Sequence, residues 1–307
     1  MLHTLSTSCE DSGQTLSIKS TLKARRRRRR ILWASLIVVV VAVIVVAYLV
    51  SESLSSPYIS YIDTPVSASI FQGLAGFSSS TLAAVGSGSA KAPSAITGSA
   101  LTNNGMPEVL YVGGEYCPYC AVTRWSMIIA LSKFGNFTGV EYMLSTATDV
   151  NPNTPTFTFA SASYTSSYLS LVTVEHWDRS DNIFQPLSTQ EQSLFSQYDP
   201  SGGIPFIDFG NQYLVTGVTG GLSTLDLSGM NWTQVVGQLN VPSSQIAQAM
   251  IGESNYIISA ICAIDGNQPS SVCSRPFATL TLASVSAGTQ PSQTDVMAIP
   301  PDRLGLQ

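Results

Sequence analysis

The hydrophobic positions of the chain begin with one unbroken run. Residues 31–50 contain twenty consecutive residues without a charged side chain. A helix that rises ~1.5 Å per residue spans the ~30 Å hydrocarbon core of a bilayer over that length. Strands rarely reach twenty residues, and the apolar region of a cleaved signal peptide usually has about 7–15 residues and ends at small residues. This run is longer and continues into Tyr48 and Leu49, so it predicts a transmembrane helix.

Beyond residue 105, short apolar runs alternate with stretches of helical spacing. Residues 109–112 read as a buried strand, residues 120–134 as a helix, and residues 140–144 as a second short strand. A strand, a helix and a strand in such close succession predict one βαβ unit, whose crossover is almost always right-handed.

The rest of this region adds a capped helix and a hairpin. Ser188 followed by Glu191 is a capping-box signature, and Gly210-Asn211 is a hairpin signal. The further elements expected are strands at 156–160, 169–175, 204–208 and 213–218, and helices at 189–198, 232–239 and 244–264. Together they predict an α/β domain over residues 106–275, which is long enough to bury a hydrophobic core.

Two flanking segments lack this texture. Residues 51–105 are rich in Ser, Ala, Gly and Thr, and within them 78–104 is typical of a flexible spacer. The Ser/Thr/Pro-rich residues 276–307 are expected to form a poorly ordered tail. The chain is thus divided into a basic tail (1–30), a transmembrane helix (31–50), a linker (51–105), the α/β domain and a C-terminal tail.

Charge is distributed unevenly about the apolar run. Residues 1–50 hold eight Lys/Arg and two Asp/Glu, whereas residues 51–307 hold six and seventeen, which together give the net charge of −5. Arg25 to Arg30 directly precede the apolar run, so the positive-inside rule predicts a cytoplasmic N-terminus and an outer domain beyond the cell membrane. A nucleic-acid partner is not expected. With only 11% charged residues, stability in acid is expected to depend weakly on pH.

The motif with specific chemistry is Cys117-Pro118-Tyr119-Cys120, between the first predicted strand and helix. The positive end of a helix stabilises a thiolate on the first cysteine, and Pro118 fits a first helical turn. Cys117 would attack a substrate disulfide and Cys120 would resolve the mixed disulfide. Half of a zinc site or a structural disulfide are the alternatives. Zinc would need two more ligands, and a Cys117–Cys120 bridge closes too small a loop to stabilise much.

Three segments carry a family resemblance: YVGGEYCPYCAVTRW, GGIPFIDFGN and the region from Cys262 to Cys273. A strand, CPYC, a helix and a strand, followed by Ile-Pro, a hairpin and a helix, resembles the thioredoxin fold, and CPYC is similar to the motif of glutaredoxins. The arrangement over residues 105–275 also looks like an archaeal membrane-anchored family known only as a domain of unknown function in the thioredoxin-like group. The resemblance implies a central mixed sheet with flanking helices. It also implies that Pro205 is a cis-proline facing the cysteine pair, which with Ile204 and Tyr119 positions the substrate.

The chain departs from thioredoxin at several points. Tyr111 stands where thioredoxins often keep a buried carboxylate for proton transfer, and Glu115 or Glu175 could substitute for it. An insertion of about 50 residues, 151–201, is expected before the proline.

The other cysteines and histidines play lesser parts in this interpretation. Cys262 and Cys273 are expected to form a structural disulfide outside the cell, with a relay to the CPYC pair as the alternative, and Cys9 is expected to be an inert cytosolic thiol. A Cys–His dyad would need His176 beside Cys117, and a lone His in a strand is more often an ordinary residue. Asn136 and Asn231 begin glycosylation sequons.

The sequence therefore predicts a membrane-anchored thiol–disulfide oxidoreductase, an oxidase or isomerase of exported proteins, that needs no cofactor or metal. Its expected partners are exported proteins with cysteines, a membrane redox partner and the lipid bilayer. Tyr116 and Tyr119 could offer an apolar platform to an unfolded client. The alternative is a non-enzymatic ectodomain that binds copper or a protein partner, although copper carriers of this fold usually space their cysteines by three residues.

Overall fold

A computed structural model describes residues 11–54, 56–149, 151–217, 221, 227 and 229–282, with side chains from residue 25 onward except 26 and 48–54. The chain forms two compact units, Met1–Ser55 and Ser56–Gln307. The helices are α1 (Asp11–Leu54), α2 (Ala68–Ala75), α3 (Ser79–Val85), α4 (Pro118–Leu131), α5 (Thr189–Tyr198), α6 (Trp232–Leu239), α7 (Gln245–Ile264) and α8 (Ser270–Cys273).

The ten strands found among the described residues all belong to the second unit. They are β1 (Ser94–Ala95), β2 (Thr102–Asn103), β3 (Met106–Gly114), β4 (Gly135–Thr138), β5 (Glu141–Leu144), β6 (Pro155–Thr158), β7 (Ser163–Ser166), β8 (Ser170–Trp177), β9 (Phe206–Phe209) and β10 (Tyr213–Thr216). Two single 3-10 turns, Ile59–Tyr61 and Pro276–Ala278, complete the described elements.

The first unit is the helix α1. Its section Arg27–Ala47 has a mean hydropathy of 2.8, and none of it is buried against other protein. Within the described residues it is the one helix long and apolar enough to cross a membrane. The predicted span 31–50 lies inside α1, and the helix extends beyond it at both ends.

A central mixed sheet organises the second unit. The strand order is β1-β10-β9-β3, and the far edge of β3 pairs with β2 at its start and with β8 along the rest. β8 runs parallel to β3, whereas β9 and β10 run antiparallel to their neighbours. β3 is buried on both faces, which explains the unbroken apolar run at 109–112.

Helices cover both faces of this sheet. On one face, Val109 and Tyr111 of β3 join the larger core with α4 and α7. On the other, Leu110 and Val112 pack in a second cluster with Phe195 of α5. The alternation of side chains along a strand sends neighbouring residues into different cores.

The predicted βαβ unit has the wrong second strand. β5, at the predicted position 140–144, pairs with β6 and not with β3. The parallel partner of β3 is β8, which matches Glu108 to Gly114 over its own length. The four residues of β5 are too few to pair with β3 along this length, whereas the eight residues of β8 are enough.

The extra residues therefore lie mainly inside the crossover, between α4 and β8, and not only in the predicted insertion 151–201. They form one long bent hairpin in which the β5–β6 ladder is nested within the β4–β7 ladder. Gly139 lies at the bend with φ +70°. A Cβ there would meet the Ser161 carbonyl oxygen at 2.6 Å, so the bend requires glycine.

The predicted flexible spacer 78–104 is also corrected, because it contains α3, β1 and β2 and contributes Leu82 to the core. The earlier part of the linker, from residue 56 onward, contains α2 and contributes Leu74. The small residues of the spacer permit close packing of backbones. Ser89 N–H donates to the Gln248 carbonyl of α7 at 3.0 Å, and a Cβ on Gly88 would lie 1.9 Å from that same oxygen. Glycine and serine here reflect close approach to a helix.

The first residues of the predicted C-terminal tail are ordered. Phe277 and Ala278 are buried in the core, and residues 283–307 of the expected tail lie outside the described residues. Other local predictions are confirmed: the Ser188–Glu191 capping box is present at α5, and β9 and β10 form the hairpin around Gly210-Asn211. Val218, at the end of the predicted hairpin, lies outside the described residues.

Candidate active site

The CPYC motif joins the end of β3 to the start of α4. Cys117 is the N-cap of α4, and Pro118 occupies its first turn. The backbone N–H of Cys120 donates to Cys117 Sγ at 3.2 Å, so the sulfur fills the place that a capping oxygen usually takes. Unsatisfied amides and the positive helix end thus face the first cysteine.

The Ile204–Pro205 segment lies beside this sulfur. The peptide bond between the two residues is cis, and Cys117 Sγ is 3.9 Å from the Ile204 carbonyl oxygen. Cys117 and Ile204, 87 positions apart in sequence, are thus in contact through the Cys117 sulfur. Tyr119 is half-buried on α4, and the ring of Tyr116 makes an edge contact with Trp177.

The two thiols are free, and their pKa values are shifted in opposite directions. Burial raises the pKa of Cys117, but hydrogen bonds from the thiol and backbone of Cys120, together with the Arg124 guanidinium, outweigh it and leave that pKa below its usual value. Burial raises the pKa of Cys120 well above its usual value, and the Cys117 thiolate raises it further. Cys117 is therefore the cysteine of the pair that loses its proton more readily.

Both sulfurs are fully buried. They belong to the apolar cluster that includes Val112, Phe195 and Phe206, and neither cysteine exposes any surface. A large substrate can reach Cys117 only after local opening of this cluster.

A buried ion pair lies behind the motif, and sequence reasoning missed one of its members. Arg124 Nε donates to Glu175 Oε1 at 2.9 Å and Arg124 Nη2 donates to the other carboxylate oxygen, with both side chains fully buried. Arg124 Nη2 also donates to the Gly114 carbonyl at 2.8 Å. The available signal was that Arg124 is the single charged residue of an otherwise uncharged α4.

The two candidate carboxylates have different surroundings. Glu175 is held by Arg124 and also accepts from the Phe159 N–H at 3.2 Å. Glu115 is buried, and burial raises its pKa to about 7 although a hydrogen bond from Thr158, 2.6 Å long, acts in the opposite direction. Glu115 can therefore exchange a proton near neutral pH.

His176 occupies a structural position. Its ring packs against Trp177 with centroids 4.2 Å apart, and its Nδ1 lies 2.8 Å from the Gln185 carbonyl oxygen. Burial lowers its pKa. Within the described residues, no group of three His, Cys, Asp or Glu side chains is arranged to hold a metal ion.

The second cysteine pair is bridged. Cys262 of α7 and Cys273 of α8 lie at disulfide distance, with S–S 1.97 Å and Cα–Cα 5.6 Å. Cys9 lies outside the described residues. Of the two sequon asparagines, Asn136 is exposed on β4, whereas the Asn231 side chain caps α6 by accepting from the Gln234 N–H at 2.9 Å.

A family model described as "Domain of unknown function (DUF929)" matches residues 93–263, which is more than half of the chain. The chain belongs to the DUF929 family. No curated protein and no solved structure matches it. The DUF929 region starts inside the segment expected to be a linker, in keeping with the ordered structure found there, and it contains the CPYC motif, Arg124, Glu175 and the Ile204–Pro205 segment.

Proposed function

We propose that this DUF929 protein is a membrane-anchored thiol–disulfide oxidoreductase with a thioredoxin-like fold. The order of elements supports the fold assignment: β3, the CPYC motif, α4, the parallel strand β8, Ile204–Pro205, the β9–β10 hairpin and α7 follow one another as the resemblance implies. The long bent hairpin between α4 and β8 is an addition to that plan.

One observation carries the functional proposal. Cys117 Sγ accepts a hydrogen bond at the start of α4 and lies 3.9 Å from the Ile204 carbonyl oxygen. A cysteine with a purely structural role would need neither a hydrogen bond from a helix start nor a backbone carbonyl beside its sulfur. A nucleophilic thiolate needs donors for its charge and a neighbouring backbone segment on which a substrate can be held.

The chemistry is thiol–disulfide exchange with a client protein. In the oxidising direction, a client thiolate attacks Cys117 Sγ, the Cys117–Cys120 bond breaks, and Cys120 leaves as a thiolate. The second client thiolate then attacks the client sulfur of the mixed disulfide, and Cys117 leaves. The client dithiol has given two electrons and two protons to the pair. Repeated turnover requires a second disulfide-bearing protein to reoxidise the pair, which a membrane partner of α1 would supply.

Proton movement at Cys120 needs a buried group that gives a proton to the leaving thiolate in the oxidising direction and takes one up in the reverse direction, and we assign this role to Glu115. Glu175 is occupied by the ion pair with Arg124, whereas Glu115 has a pKa of about 7 and lies two residues before Cys117. Oxidation or isomerisation of exported proteins is preferred to reduction because the arginines before α1 direct the domain outward.

The test of the function is turnover by the full-length chain in detergent. In a Cys9→Ser background it should reduce insulin with dithiothreitol as donor, or oxidise a reduced client, and Cys117→Ala should abolish both activities. The matched control, Cys262→Ala with Cys273→Ala, should retain them. A wild-type chain that is inert in both directions would overturn the proposal. Stoichiometric binding of Cu(I) by that inert chain would favour the copper-binding alternative.

The orientation is tested separately. Ala100 is exposed in the second unit. In the Cys9→Ser background on intact cells, Ala100→Cys should react with a membrane-impermeant thiol reagent, whereas absence of labelling until the cells are lysed would reverse the assigned topology.

A further inference from the structure

Two buried hydrogen-bond donors behind the CPYC motif have no partner among the described residues. They are the hydroxyl of Tyr111 and the Nη1 group of Arg124, and both side chains are fully buried. Burying such a group without a partner costs about 1–3 kcal/mol, and native proteins contain few of them. One lies on α4, which begins at the CPYC motif, and the other on β3, which leads into it, and together they indicate a task that the resting state leaves incomplete.

Arg124 is attached to the motif by its other nitrogens. It lies four residues after Cys120 on α4, so the two side chains share one helix face. Its Nη2 donates to the Gly114 carbonyl oxygen, which also accepts the Cys117 N–H at 3.2 Å. Glu175 holds Nε and Nη2, and this leaves Nη1 as the one group with donors to spare.

The Tyr111 side chain extends along β3 toward the same point. Tyr111 and Gly113 face the same side of the strand, and a Cβ on Gly113 would lie 2.0 Å from the Tyr111 hydroxyl. The Arg124 Cζ atom is 5.9 Å from the centre of the Tyr111 ring. Burial raises the pKa of Tyr111 well above its usual value, and negative charge on Cys120 and Cys117 raises it further. The hydroxyl therefore stays protonated, and it interacts electrostatically with the two sulfurs.

We propose that Tyr111 and Arg124 are positioning residues whose spare donors stabilise the thiolate charge of the reduced Cys117–Cys120 pair, and that they thereby set its reduction potential. This inference rests on the proposed function. The charge appears when a client thiolate attacks Cys117, the bond between the two cysteines breaks and Cys120 leaves. In the fully reduced pair Cys117 is the cysteine that carries it more readily, and stabilising this charge favours the reduced pair, which makes the disulfide a stronger oxidant.

The deciding variant is Tyr111→Phe, which removes one oxygen that has no hydrogen-bond partner in the described part of the chain and therefore leaves the fold intact. The full-length Cys9→Ser chain in detergent is equilibrated with glutathione redox buffers, and the oxidised fraction of the pair is measured. We expect the equilibrium to shift about tenfold toward the disulfide, or about 30 mV toward a more reducing potential. Arg124→Lys should shift it in the same direction.

Tyr164→Phe is the matched control. It also removes the hydroxyl of a largely buried tyrosine, but that hydroxyl donates to the Leu131 carbonyl at 2.9 Å, away from the motif. It should lower stability and leave the potential unchanged. If the parent chain exchanges with glutathione and clients while Tyr111→Phe keeps the parent potential, or moves no more than Tyr164→Phe, the inference fails alone. If the parent chain exchanges with neither, the proposed function fails as well.

Discussion

The two cysteine pairs of this protein are equally buried and differ in nearly everything else. Cys262 and Cys273 are bridged and join the apolar core with α7 and α8. Cys117 and Cys120 are free, and a helix start, an arginine and the Ile204 carbonyl surround them. Burial alone therefore does not distinguish the bridged pair from the free pair. The polar groups around the sulfurs do, because they decide which sulfur carries charge.

The largest effect expected is on the free energy of unfolding, and it comes from the ion pair behind the CPYC motif. Arg124→Gln leaves the Glu175 carboxylate buried without its partner, and removal of one member of a buried ion pair costs about 3–5 kcal/mol. Chemical denaturation of the full-length chain should show this loss. Arg124→Met combined with Glu175→Gln should recover most of the stability, since neither charge is then left behind. Equal losses in the single and double variants would contradict the account.

Opening the second pair should cost stability and nothing else. Cys262 and Cys273 are 11 positions apart, and a disulfide closing a loop of about this size contributes about 3 kcal/mol. The double alanine variant should therefore unfold at a lower denaturant concentration and keep its exchange rate. A parallel loss of exchange would instead support the relay between the two pairs that the sequence left open.

The asymmetry inside the CPYC pair predicts unequal alkylation. The pKa of Cys117 is lowered by Cys120 and Arg124 against the effect of burial, while burial and the Cys117 charge raise the pKa of Cys120. Iodoacetamide treatment of the reduced Cys9→Ser chain at pH 7, followed by peptide mass spectrometry, should show Cys117 modified about tenfold faster or more, since one pKa unit is a tenfold change in thiolate. Equal rates would remove the assignment of the nucleophile.

The last effect expected is on the pH dependence of folding, and it revises the weak dependence expected from the low charge content. Burial raises the pKa of Glu115 to about 7 and that of Asp208 to about 6. Both values lie above those of carboxyl groups in an unfolded chain, about 4. These groups therefore stabilise the fold most below about pH 4, and the contribution is lost as the pH rises through 6 and 7.

Thermal unfolding should accordingly occur at a higher temperature at pH 4 than at pH 7. Glu115→Gln with Asp208→Asn should flatten this dependence. A melting temperature that falls steadily between pH 7 and pH 4 in the parent chain would contradict the assigned pKa directions.

The sequence predicted the local features well, because each was written in adjacent residues. The twenty-residue apolar run, the Ser188 capping box and the Gly210-Asn211 hairpin depend on short-range rules, and so does the place of CPYC between a strand and a helix. The parallel partner of β3 was missed because pairing over such a separation depends on matching lengths of strand edge, which no local pattern contains.

The other misses share a cause. Gly88 was interpreted as part of a flexible stretch, because glycine is needed there only on account of the nearby Gln248 carbonyl, which is distant in sequence. Arg124 attracted no attention because its partner Glu175 is 51 residues away. Tyr111 was identified as a departure from thioredoxin, but only the folded chain shows that its buried hydroxyl has no hydrogen-bond partner among the described residues. The groups that would tune the site are long-range features.

The central claim is that Cys117 forms a mixed disulfide with a client protein that Cys120 then resolves. The most direct measurement is trapping with the full-length Cys9→Ser chain carrying Cys120→Ser, incubated with a disulfide-bearing client and analysed by non-reducing electrophoresis and peptide mass spectrometry. The account predicts a stable adduct through Cys117, which disappears when Cys117→Ala is added. No adduct, or an adduct through Cys262 or Cys273, would contradict it.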